Sequence, residues 1–167
     1  MERDEVLRLG EVSGKRVLDV GVGPLALIAA RDFKCEVTTI DTSASALESA
    51  RREAVNVGLA DHIQFDQQDA ADLSYPDDSF EVAISYGALH HVPVHRRERF
   101  LRELLRVARE RVVIAEYTRA AFQSVHPKGE YEAVDLAWLE EYLGGLGETV
   151  RHPGERMNVY VCRKAAG

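Results

Sequence analysis

The chain has 167 residues, of which 46% are hydrophobic and 29% charged, long enough to bury one core without help from disulfides or metal. A formal charge of −7 disfavours a nucleic-acid partner, since neutralising phosphates needs a basic face. No stretch approaches the roughly 18 apolar residues of a membrane span, and Met1 to Glu5 is charged and leads into no signal core. The expectation is one cytoplasmic domain over residues 1–167.

Residues 1–14 read as a short charged cap, with Val6, Leu7 and Leu9 as its apolar content and room for two or three helical turns. Arg16-Val17-Leu18-Asp19-Val20 is then an apolar strand that turns sharply at Gly21-Val22-Gly23-Pro24 and opens a helix through Leu25 to Ala30. Glycine suits such a turn because the backbone takes dihedrals that a side chain forbids and a ligand must approach the main chain. Asp19 bears on which ligand. Two residues before the first glycine, its carboxylate would face the charges of a bound pyrophosphate. S-adenosylmethionine carries no phosphate, and its α-ammonium would instead be held by an acid there.

Cys35 to Asp41 is rich in β-branched residues and reads as the second strand. Asp41 follows Gly21 by 20 residues, a spacing that puts a carboxylate at the tip of the neighbouring strand for the ribose hydroxyls of an adenosine. A capping or turn Asp would look the same. Ser43 to Val57 is a helix, with Ser45-x-x-Glu48 as its capping box and Gly58 as its stop. His62 to Phe65 is a short third strand, and Gln67 to Leu73 leaves it as a polar turn. Pro76-Asp77-Asp78 throws the chain into a buried fourth strand, Phe80 to Tyr86.

Arg96 to Arg109 is an amphipathic helix, apolar through Phe100, Leu101, Leu104, Leu105 and Ala108. Its arginines, Arg97 among them, are assigned to a solvated outer face. Arg111 to Tyr117 is the fifth strand. Residues 118–132 read as a polar, irregular substrate-side loop, Ala133 to Leu143 as a helix, and Thr149–Arg151 with Met157–Arg163 as a closing hairpin. Cys35 and Cys162 share no close spacing with each other or with histidines and read as free buried thiols.

Asp19-x-Gly21-x-Gly23, Asp41, Asp69-Ala70 and the stretch Tyr75 to Val92 stand in the order and spacing of one family. The chain resembles the class I, Rossmann-like S-adenosylmethionine-dependent methyltransferases, closest to their small-molecule type 11 group. The resemblance is good from Arg16 to Val92 and looser to Tyr117, and Leu25 stands where the third motif glycine would be. It implies an α/β fold: a doubly wound, mainly parallel seven-stranded sheet with an antiparallel last strand. It also implies S-adenosyl-L-methionine as cofactor. Asp19, Gly21, Gly23, Leu25 and the Ser85-Tyr86 segment would hold the methionine end, Asp41 with Thr42 the ribose, and Asp69 with Ala70 the adenine. Since many members lay an N-terminal helical segment over the cofactor, the short cap implies an open pocket or one closed by a partner.

Methyl transfer from a sulfonium is an in-line displacement in which positioning supplies much of the rate, so a catalytic residue need not exist. Where a base helps, the candidates lie after strands four and five: His90, His91, Tyr117 and His126. The run His90-His91-x-x-x-His95 invites a metal reading, but Pro93 breaks the face such spacing would need and no carboxylate or Cys joins it locally; no metal is expected. One of His90 and His91 should face the pocket and the other the packing side. His126 and Tyr131 read equally well as pocket or loop packing.

The acceptor is expected to be a small molecule, because Ser85-Tyr86-Gly87-Ala88 replaces the Asn/Asp-Pro-Pro-aromatic segment of the nucleic-acid and glutamine amino-group methyltransferases. Two rivals stay open. Gly21-x-Gly23-x-x-Ala26 also satisfies the pattern of a nicotinamide-dependent oxidoreductase. A non-catalytic scaffold or activating subunit could keep the same fold. The oligomeric state is not readable.

Overall fold

The computed structural model describes residues 1–165. Its strands are β1 (Arg16–Val20), β2 (Glu36–Asp41), β3 (Ile63–Gln67), β4 (Phe80–Tyr86), β5 (Ala108–Tyr117), β6 (Gly147–His152) and β7 (Met157–Lys164). The helices are α1 (Arg3–Leu9), α2 (Pro24–Phe33), α3 (Ala44–Asn56), α4 (Arg97–Val107), α5 (Arg119–Val125) and α6 (Leu136–Leu146). The strands form one sheet in the order β3-β2-β1-β4-β5-β7-β6. β1 pairs in parallel with β2 and β4, as do β2 with β3 and β4 with β5. β7 runs antiparallel to both β5 and β6, so the closing hairpin supplies the antiparallel strand expected for the fold.

The alternation of strand side chains divides the core into two layers. Val17, Val82, Ile84, Val113 and Ala115 face one side, against Val6, Leu7, Leu25 and Ala29 from α1 and α2. Leu18, Ala83, Val112 and Ile114 face the other, against Phe100, Leu101 and Leu104 of α4 and Leu139 and Leu143 of α6. β1 and β5 are buried on both faces, as a sheet covered on two sides requires. Each of those large α4 side chains contributes roughly 1.5–3 kcal/mol by leaving water.

Four local readings are corrected. The cap of α3 is Ser43, whose hydroxyl accepts from the Ala46 N–H at 3.2 Å, and not the Ser45 box. Ala108 turns extended to pair with Phe80, so β5 starts three residues before Arg111, across a register shift between Phe80 and Val82. Residues 118–132 are not wholly irregular: Thr118 Oγ1 accepts from the Ala121 N–H at 3.4 Å and nucleates α5, which buries Ala121 and Phe122. α6 begins at Leu136 because Asp135 Oδ1 accepts from the N–H groups of Ala137 and Trp138, at 3.0 and 3.1 Å. It runs on through Gly144-Gly145. Cys35 and Cys162 are free and buried, as read.

Candidate functional site

The carboxyl ends of β1, β2 and β3 open on a groove of about 180 Å³, lined by Gly21, Asp41, Thr42, Gln68, Asp69, Ala70, His91 and others. It lies outside strand ends on the side where ligands of open α/β sheets bind. Gly21 sits at φ +88°, a conformation side chains disfavour, and its N–H donates to the Ile40 carbonyl at 2.8 Å. A Cβ on Gly23 would meet nothing within 4 Å, so the space above the turn is open. Pro24 stands in the first turn of α2, where its missing N–H costs nothing. Leu25 turns its side chain into the core beside α1, away from the groove.

Asp41 is fixed by its own backbone surroundings. Its Oδ2 accepts from the Val22 N–H at 3.3 Å and its Oδ1 from the Ser43 N–H at 2.9 Å. The carboxylate is thereby aimed out of the strand tip with lone pairs to spare for a diol. Asp69 Oδ1 accepts from the Ala71 N–H at 2.9 Å and Oδ2 from the Arg96 guanidinium at 2.8 Å. Burial pushes its carboxyl up, but the Ala71 N–H and Arg96 outweigh that and hold it below the usual range. Arg96 had no place in the expected site.

Asp19 is 2% exposed, and its hydrogen bond is from Thr39 Oγ1 at 3.2 Å. Burial pushes its carboxyl up to about 7, offset only in part by Thr39 and by the field of Arg3. A cation arriving beside it would complete its environment. Ser85 is fully buried on β4 with an Oγ that has no hydrogen-bond partner among the described residues. The Tyr86 hydroxyl donates to the Met1 carbonyl at 3.1 Å and Arg3 lies 4.8 Å over its ring, so the start of the chain covers this end. An under-satisfied acid, an unpartnered hydroxyl and an open glycine turn fit a ligand with an ammonium and a diol.

Beyond the groove, the ends of β4 and β5 meet in a second cluster. His90, buried just past β4, places Nδ1 3.1 and 3.2 Å from the two oxygens of Glu116. The same carboxylate accepts from the backbone N–H groups of His90 and Tyr117, each at 3.1 Å. His90 Nε2 is 3.1 Å from His126 Nε2, brought in by the end of α5. His91 lies alongside, its ring stacked on Tyr131 at 4.4 Å between centroids. Partial burial of the His91 ring, then the neighbouring His90 and His126, hold it below the ordinary imidazole range. Tyr117 is half-buried with its ring 5.6 Å from His90. All four base candidates therefore converge, and the division between His90 and His91 is as expected: His91 lines the groove and His90 packs on Glu116.

Two sequence readings miss here. Arg97 is not on a solvated face; it is 3% exposed and donates to the carbonyls of Val92, Ala133, His90 and Glu132, at 3.0, 3.3, 3.4 and 2.7 Å. It ties the turn carrying the histidines to the arm before α6. Glu116 passed as a strand residue. Its only signal was an acid directly after the aliphatic run Val112 to Ala115, at the carboxyl end of the strand. His95 stays exposed, lining a different hollow with Trp138.

The sequence model of the family described as Methyltransferase domain matches residues 17–111, more than half of the chain. The chain is 38% identical over 113 residues to Methyltransferase GfsG of Streptomyces halstedii, covering 65% of this chain and 40% of that protein. It is 33% identical over 136 residues to the phosphatidylethanolamine N-methyltransferase of Cereibacter sphaeroides, covering 78% of this chain and 63% of that one. The chain thus spans less than two thirds of the length of both curated relatives. In fold it is similar to the magnesium protoporphyrin IX methyltransferase of Synechocystis PCC 6803, solved with S-adenosylmethionine bound: TM-score 0.74, 18% identity, 98% of this chain and 76% of that chain covered. With the antiparallel β7 inside the sheet and the glycine turn at the end of β1, these matches establish that the chain belongs to the methyltransferase-domain family.

Proposed function

We propose that the chain transfers a methyl group from S-adenosylmethionine to a small-molecule acceptor. The observation that carries this reading is the joined site: a groove floored by Gly21 and edged by Asp41 and Asp69 opens, through His91, on a histidine and tyrosine cluster. In this reading Asp41 and Thr42 take the ribose, Asp69 and Ala70 the adenine edge, and Asp19 with the buried Ser85 hydroxyl lies under the methionine end. The Gly21 to Leu25 turn contributes backbone, Leu25 by its amide alone.

The bound cofactor supplies an electrophilic methyl; the chain supplies position and a route for a proton. Tyr117, His91 and Tyr131 wall the acceptor side, and Arg97 fixes the turn that carries His91 to the arm that follows Tyr131. An acceptor hydroxyl or ammonium would release its proton to Nδ1 of His126 as the Nε2–H of that ring passes its own proton to Nε2 of His90. The His126 to His90 contact then places positive charge beside Glu116, which holds His90 by its Nδ1. Tyr86 and Arg3 exclude water from the methionine end.

Calorimetric titration with S-adenosylmethionine and its demethylated product tests the reading. Micromolar binding of both, lost in Asp41→Ala, is expected. Binding of a nicotinamide cofactor in their place, or of no adenosine ligand, would overturn it.

A further inference from the structure

The histidine cluster gathers more nitrogen ligands than the proton route of the proposed function uses. His90 and His126 each turn Nδ1 toward a carboxylate, His90 to Glu116 at 3.1 Å and His126 to Glu130 at 3.8 Å. Their Nε2 atoms face each other at 3.1 Å. With each Nδ1 turned toward its acid, the two facing Nε2 atoms are placed to offer their lone pairs to one shared cation. A third imidazole is at hand: one ligand atom from each of His90, His91 and His126 can be chosen so that all lie within 4.8 Å of one another.

We propose that His90, His91 and His126 form a binding site for a borderline divalent transition-metal ion of the zinc type. Zinc–imidazole bonds of about 2.0–2.1 Å set tetrahedral N···N edges of roughly 3.3 Å, so the observed pair needs to spread by only a few tenths of an ångström. The donor set is three neutral nitrogens without thiolate, which suits zinc, cobalt(II) or nickel(II) and not magnesium or calcium, whose preferred ligands are oxygens. Glu116 and Glu130 occupy the outer positions in which carboxylates orient metal-bound histidines. Three protein ligands leave a fourth position. Since His91 is exposed and His126 half-buried, that position faces the groove and solvent.

The sequence reading set metal aside on the local run ending at His95; the third histidine comes instead from α5's end, 35 residues after His91. Metal and proton then compete for the same Nε2 lone pairs, so the ion-bound and proton-accepting forms of His90 exclude one another. The inference does not depend on methyl transfer, and its test uses neither cofactor nor acceptor.

The untagged, metal-depleted chain is titrated with zinc by calorimetry and with cobalt(II) by visible absorption. One ion per chain at micromolar or tighter affinity is expected, with the intense visible bands of four-coordinate cobalt. His126→Ala and His91→Ala, both outside the buried core, should each weaken binding at least about 30-fold, and Glu130→Gln about tenfold, in the range for loss of an outer carboxylate. His62→Ala, in the turn that enters the far edge strand, should change nothing. Absence of stoichiometric uptake, equal uptake by His126→Ala, or equal affinity for magnesium would each overturn the site and leave the pair sharing a proton.

Discussion

The two halves of the groove are built on different principles. At the ends of β1 and β2 the chain presents mostly backbone: the Gly21 turn, the N–H groups of Val22 and Ser43, and the one carboxylate they hold. At the ends of β4 and β5 it presents side chains drawn from four separate segments: His90 and His91, Glu116 and Tyr117, His126, and Tyr131. The first half is a rigid cradle that any sequence with the turn and strand-tip acid would reproduce. The second is a packed polar network in which each member depends on the others. Binding of an adenosine should therefore be separable from the integrity of the acceptor side.

The sharpest way to break that separation is Glu116→Ala. It strips the partner from a buried imidazole nitrogen, a buried backbone N–H and a partly buried one, and should cost roughly 3–5 kcal/mol of stability in urea denaturation. Cofactor affinity in the remaining folded protein should stay within about threefold. Asp41→Ala is the converse. Losing charge-assisted bonds to the ribose should weaken S-adenosylmethionine about 50- to 100-fold by calorimetry, while the urea midpoint moves little.

Asp19 sharpens the comparison through pH. Its carboxyl sits at about 7 in the folded chain against 3.8 when unfolded, so between these values the native state holds the proton that the unfolded state has released. Stability from this group therefore falls as pH rises through that window. An ammonium bound beside Asp19 favours the ionised form. Affinity for S-adenosylmethionine should rise up to about tenfold per pH unit below 7 and level off above it, with proton release seen as a buffer-dependent enthalpy. Asp19→Asn should abolish that slope and be more stable than the parent above pH 7. The smallest effect is Gly21→Ala. Forcing a side chain to φ +88° costs about 1–2 kcal/mol, read as a lower melting temperature with a correspondingly weaker cofactor interaction.

The difference between the halves also explains what the sequence showed. The strand-tip positions of Gly21, Asp41 and Asp69 follow from local patterns: β-branched runs, a glycine turn and fixed strand-to-strand spacing. Such signals span a few residues and survive without knowledge of the rest. Arg97 defeated the same logic because helical periodicity assigns it to a face without saying what covers that face; four carbonyls from the arm at 132–133 and the turn at 90–92 do. The helix at 119–125 was hidden because it has only seven residues and buries only Ala121 and Phe122, too little for a periodic signal.

The amino-acid sequence by itself determined the family and, through the resemblance its motifs carry, the doubly wound sheet with its antiparallel last strand, since those motifs are short and stand in fixed order. Tertiary structure alone decided how the histidines after β4 and β5 meet Glu116 and one another. His90, Glu116 and His126 lie 26 and 36 residues from one another along the pairs they form, and no spacing rule links them. Only the parallel pairing of β4 with β5 and the return of α5 bring two acids and three imidazoles to one point.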